Sequence, residues 1–188
     1  MIRLLLRASN APVLILLAAI GIAIQTSLFG WPPLSYFQPD IILMIVIWCA
    51  LKRTFTEGGV LTLLLGNIAE IHSSSPQGAM MIIYMLIYLG VRAAIQVIVL
   101  PNRSALVMLT LVASILWKGL MLGLMIALGA TQSSWKHVLI FVFPGAAIEA
   151  AVAIWVYPGL DRFDWVTFKS SRAQQILEDE LQLEGEGF

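Results

Sequence analysis

Asn67 and Glu70 stand three residues apart with His72 just beyond, so on a helix the first two share a face and an imidazole follows near its end. A carboxylate, an amide and an imidazole can hydrogen-bond a neighbouring helix, or ligate a metal if a third ligand lies at a fixed spacing. No HExxH or comparable ligand pattern accompanies them, so no metal site is expected. Cys49 is the single cysteine and sits in an apolar run, which excludes an internal disulfide and a cysteine-based zinc site. Gly58, Gly59 and Gly66 form no phosphate loop, and no GxSxG or Ser/His/Asp layout is present. No enzymatic activity and no cofactor are expected; an intramembrane reaction using Glu70 or Glu149 is the remaining enzymatic alternative.

Those groups lie in a chain that is 60% hydrophobic and 12% charged, with a mean hydropathy of +0.90. That composition belongs to a protein dissolved in a bilayer. Lys and Arg total 11 and Asp and Glu total 11, so placement matters more than balance, and no nucleic-acid partner is expected. A helix needs roughly 20 apolar residues to cross about 30 Å of hydrocarbon. By that measure six segments emerge, at residues 12–28, 39–51, 58–72, 79–100, 104–129 and 135–157. The second and third are short enough to form one re-entrant hairpin, but the basic pair Lys52 and Arg53 between them favours two crossings. The basic N-terminus followed by an apolar run resembles a signal peptide, yet Ala23-Ile24-Gln25 is a poor cleavage site and the run is read as a retained first helix.

Arg3, Arg7, Lys52, Arg53, Arg103, Arg162, Lys169 and Arg172 fall on one side of a six-span arrangement, and Lys136 falls on the other. The positive-inside rule then puts both termini in the cytoplasm of a multi-pass inner-membrane protein. Trp31, Tyr36 and Trp135 mark the outer interface and Trp155, Tyr157 and Trp165 the inner one. Residues 1–162 form the transmembrane domain. Pro158 and Gly159 are expected to stop the last helix. Residues 163–188 comprise an interfacial segment, where Phe163, Trp165, Val166 and Phe168 alternate with charges, and an acidic tail with Glu178, Asp179, Glu180, Glu184 and Glu186 projecting into the cytoplasm.

Within the spans, buried charge costs about 2.5–3.5 kcal/mol per residue on insertion scales. Lys118, twelve residues in from Ala130, and Glu149, fourteen in from Trp135, reach similar depths of about 18 and 21 Å. They are expected to pair. Arg92 and Gln96 share a helix face, and Arg92 is expected to snorkel toward the inner headgroups. Small residues at four-residue spacing, at Ala19 and Ala23, at Gly119, Gly123 and Ala127, and at Ala146 and Ala150 with Ala147 and Ala151, predict close helix contacts. Internal packing is the default for such ridges, and the first-helix pair is the better external candidate.

Pro39-Asp40 opening an apolar run, Lys52-Arg53 after it, the glycine-spaced GGVLTLLLG leading to Glu70, and the Ser75-Pro76-Gln77-Gly78 turn before another long helix follow one another in order. In this the chain resembles the MreD family of rod shape-determining proteins over residues 11–162. The resemblance implies an all-α membrane protein, a six-transmembrane-helix bundle similar to the substrate-binding components of energy-coupling-factor transporters. It implies a non-enzymatic partner of MreC in the cell-elongation machinery, linked to MreB, RodA and a penicillin-binding transpeptidase of peptidoglycan synthesis. The alternative is a vitamin-binding component of an energy-coupling-factor transporter, with Ala19 and Ala23 docking its transport partner. For the scaffold, Asp40, Gly66, Asn67, Glu70 and His72, near the outer ends of the second to fourth helices, are the expected partner contact, with Ala19 and Ala23 next.

Overall fold

The computed structural model describes residues 2–31, 38–73, 75–97, 103–129, 135–167 and 169. Among the described residues six helices follow one another: α1 (Ile2–Leu28), α2 (Ile41–Lys52), α3 (Phe55–Ile71), α4 (Ala79–Val97), α5 (Arg103–Ala127) and α6 (Trp135–Val166). Among the described residues four stretches are long and apolar enough to cross a membrane: Ala8–Leu28, Ala79–Gln96, Ser104–Ala127 and Val142–Val166. The protein is therefore membrane-embedded, and its outward-facing Leu16, Ile24, Ile82, Leu116 and Ile154 belong in lipid or against a partner.

The architecture turns on α2. Its 12 residues span about 18 Å, well short of a bilayer's hydrocarbon. Residues from Ile42 to Ala50 are all buried, and α2 touches each of the other five helices. A helix apolar on every face is stable only when surrounded, and here the surrounding shell is the rest of the bundle. Asp40 starts α2 as its N-cap, its Oδ1 accepting from the Leu43 N–H at 3.0 Å. The α2–α3 junction is tight: Tyr88 of α4 donates its hydroxyl to the Phe55 carbonyl at 2.8 Å, a route open because Gly58 has no side chain. A Cβ on Gly58 would lie 2.7 Å from that hydroxyl. Gly78, at φ +82°, makes the turn into α4.

Long-range hydrogen bonds show which helix ends lie together. Asp40, before α2, meets Tyr84 near the start of α4 at 2.5 Å, whereas Asn10 of α1, Arg53 after α2 and Asp164 near the end of α6 meet at the opposite end. Successive helices thus alternate in direction.

Three expectations change. Pro158 does not end the last helix, which continues to Val166 with Pro144 and Pro158 inside it. Losing one backbone hydrogen bond is offset by side-chain ties on either side of Pro158: Tyr157 to Thr110 at 2.6 Å, Trp48 Nε1 to Asp161 at 3.1 Å, and Arg53 to Asp164. Tyr157 is accordingly buried rather than an interfacial belt residue. Arg92 turns inward and donates to the Ala50 carbonyl at 3.0 Å, which supplies the partner that snorkelling would have sought in the headgroups. Of the loop and tail expectations, Tyr36 and everything from Ser170 onward lie outside the described residues.

Candidate functional site

Because α2 is short, polar groups collect beyond each of its ends. Tyr84 lies five residues into α4, about 7 Å below that helix's first residue, so its hydrogen bond to Asp40 marks how far α2 is recessed. Above the recess is a cavity of about 360 Å³ bordered by α1, α2, α3, α4, α5 and α6 residues. Its polar wall includes Gln25, Gln38, Asp40, Ser73, Tyr84, Trp117, Lys118 and Glu149, with Thr26 and His72 in exposed positions. Tyr84 and Trp117 stand ring to ring, with centroids 5.9 Å apart. Lys118 donates to Ser114 Oγ at 3.0 Å and to Glu149 Oε1. Glu149 is 1% exposed. Its Oε2 and the Trp117 Nε1 are both buried without a hydrogen-bond partner. Two carboxylates and one ammonium therefore face the same small space.

The other end of α2 carries a clamp. Arg53, 4% exposed, donates from Nη1 and Nη2 to Asp164 at 2.9 and 2.6 Å and from Nη2 to Asn10 at 2.8 Å. Asn10 Nδ2 in turn donates to Asp164 at 3.0 Å and to Thr167 Oγ1 at 2.6 Å. The guanidinium also lies 4.7 Å from the centre of the Trp48 ring. A bidentate, fully enclosed arginine of this kind ties α1, the α2–α3 junction and α6 together.

The residues singled out from the sequence are distributed over three places. Asp40, His72, Lys118 and Glu149 border the cavity. Gly66, Asn67 and Glu70 lie on the seam between α3 and α4: a Cβ on Gly66 would stand 2.9 Å from Met81 Cα, Asn67 Nδ2 approaches Met81 Sδ at 3.8 Å, and Glu70 Oε1 accepts the Gly78 N–H at 2.6 Å. Their contacts are with this chain. Ala19 is half-buried and Ala23 exposed on α1. Ala146 and Ala150 are buried, but Gly119 and Gly123 have open space where a side chain would be. They border an apolar groove of about 830 Å³ between α4 and α5. Sequence reasoning missed Tyr84 and Trp117 in the cavity wall, Ser114 as the second partner of Lys118, and the whole Arg53 clamp. Tyr84 and Trp117 read as ordinary aromatics of apolar runs, and Asn10 and Asp164 are 154 residues apart, a pairing no local spacing announces.

Among the described residues no three His, Cys, Asp or Glu side chains converge as a metal site would require. The family model of rod shape-determining protein MreD matches residues 7–163. The chain belongs to the MreD family. No curated protein and no solved structure matches it. The MreD match contains the complete cavity, together with Asn10 and Arg53, and ends one residue before Asp164. Membership makes this a membrane protein of cell-shape determination.

Proposed function

We propose that the chain is a non-enzymatic scaffold of the bacterial cell-elongation machinery, seated in the inner membrane with both termini in the cytoplasm, that binds MreC. Through MreC it supports MreB, RodA and a penicillin-binding transpeptidase in peptidoglycan synthesis and rod shape. The observation that carries this reading is the MreD-family match over residues 7–163. The groove between α4 and α5 supports a binding role: Ile82, Leu86, Leu116 and Leu120 border it, and Gly119 and Gly123 on its floor meet no neighbour. Small residues let a partner helix approach closely, and close packing is the main source of helix association in lipid. A single-span partner fits that surface better than the α3–α4 seam, where Gly66 already lies against Met81 and Glu70 Oε1 accepts from Gly78.

The test is co-purification of MreC in mild detergent. Gly119→Leu with Gly123→Leu fills open space, so the bundle should fold as the parent does while MreC recovery falls. Folded protein that retains MreC moves the contact to the α1 face at Ala19 and Ala23; absence of MreC from the parent complex defeats the reading. The alternative of a vitamin-binding transporter component finds support in the cavity, and its signature would be an ATPase pair co-purifying in place of MreC.

A further inference from the structure

The cavity beyond α2 has chemistry that holding a partner helix does not use. Glu149 is enclosed, and its Oε1 is committed to Lys118 while its Oε2 points at no donor. Trp117 supplies the converse, a buried N–H without an acceptor. Lys118 has spent two of its three N–H groups on Ser114 and Glu149, and Asp40 has given one oxygen to Leu43 and the other to Tyr84. Unmet buried acceptors and donors destabilise a protein unless something in the cavity answers them. With Asp40 and Glu149 against Lys118, the lining carries a formal excess of one negative charge.

We infer that this cavity binds a small primary ammonium that also carries an oxygen acceptor, the chemistry shared by free amino alcohols and by an ethanolamine lipid headgroup. The ammonium meets Glu149 Oε2 and cancels the excess charge. The oxygen accepts from Trp117 Nε1 and from the remaining Lys118 N–H. The intervening methylenes lie against the Tyr84 and Trp117 rings, whose faces also attract the cation. An anion is disfavoured by the two carboxylates. A metal ion finds one free carboxylate oxygen, since those of Asp40 are already taken. At about 360 Å³ the space suits a ligand of this size with accompanying water.

The experiment uses the full chain in phosphatidylcholine nanodiscs and follows thermal unfolding while ethanolamine hydrochloride is titrated, because a ligand that binds the folded state raises the melting temperature with the logarithm of its concentration above Kd. Sodium chloride at equal ionic strength and ethylene glycol should produce no such rise. Trp117→Phe keeps the ring and removes the N–H, so the apparent affinity should fall about threefold to tenfold, the usual value of one hydrogen bond; Glu149→Gln should abolish the response. If the lipid headgroup is the occupant, adding phosphatidylethanolamine to the nanodiscs raises the melting temperature and removes the response to free ethanolamine; if the free amine is, the lipid leaves both unchanged. Equal stabilisation by sodium chloride or ethylene glycol overturns the inference, as does a flat response in both lipids, or an unaltered one in folded Trp117→Phe. MreC recovery is read separately, so the fate of the scaffold reading does not decide this one.

Discussion

Removing the Asp164 carboxylate leaves the Arg53 guanidinium enclosed with Asn10 and the more distant Glu57 for company. A buried charge stripped of its partner typically costs about 3–5 kcal/mol, so Asp164→Ala should lower the melting temperature in detergent sharply. Arg92→Ala, which loses the bond to the Ala50 carbonyl but leaves no buried charge unpaired, should cost only about 1 kcal/mol. Comparable melting temperatures for the two variants would show that the clamp carries no special weight. Lys118 and Glu149 form the corresponding pair at mid-depth. Lys118→Met and Glu149→Gln should each reduce folded yield, and the exchange Lys118→Glu with Glu149→Lys should recover much of it, since the pair is neutral in either order. A Lys118→Met protein as stable as the parent would contradict this. The expectation of this pair came from equal depth about a shared turn, a one-dimensional argument that applies because α5 and α6 follow each other in the chain and pack together. Arg53 defeated the same kind of reasoning: next to Lys52 it reads as a loop cation, and its partners come from the two ends of the chain.

At the scale of helices, glycines separate seams that are closed from seams that are open. Gly66 lets α3 lie against the α4 backbone at Met81, and a methyl there would stand 2.9 Å from Met81 Cα. Gly66→Ala should therefore cost about 1–3 kcal/mol through forced separation of α3 and α4, whereas Gly119→Ala, with nothing within reach, should leave stability within about 0.5 kcal/mol of the parent. Thermal unfolding of the two single variants decides it, and a reversal of the order would mean that α5 rather than α3 is the tightly packed element. The GGVLTLLLG run announces that a close approach takes place. It does not say which glycine faces a neighbour, because Gly59, adjacent to Gly58, has only ordinary contacts at 3.7 Å and beyond.

For the molecule as a whole, orientation is the property most open to direct measurement. Reporter fusions after Ser75 and after Gln132 should both read periplasmic, since the basic residues Arg3, Arg7, Lys52, Arg103 and Arg162 gather on the opposite side. A cytoplasmic signal at either position would invert or break the six-span arrangement. Arg53 contributes less to this argument than a free loop cation would, being neutralised by Asp164. The alternation of helix directions seen in the Asp40 and Arg53 ends requires that α2 and α3 run as separate, opposed elements. The 12 residues of α2 form the enclosed inner element, whereas the 17 residues of α3 keep Val60, Leu63 and Leu64 exposed beside the four longer apolar helices.

Bulk apolarity, the number of helices and the membership signalled by Pro39-Asp40, Lys52-Arg53 and GGVLTLLLG are properties of composition and order, so they could be read from the residues alone. That α2 is the centre could not, because an apolar run reads the same whether lipid or protein surrounds it; enclosure of Ile42 to Ala50 is decided by the other five helices. The cavity has the same origin. Asp40, Tyr84, Trp117 and Glu149 come from three different spans and the cap of a fourth, and they share one space only because the buried helix is shorter than those around it. Residue types and depths along each helix are local quantities and survive in the sequence; the angular position of one helix about another is set by packing, and that is what brought these four side chains together.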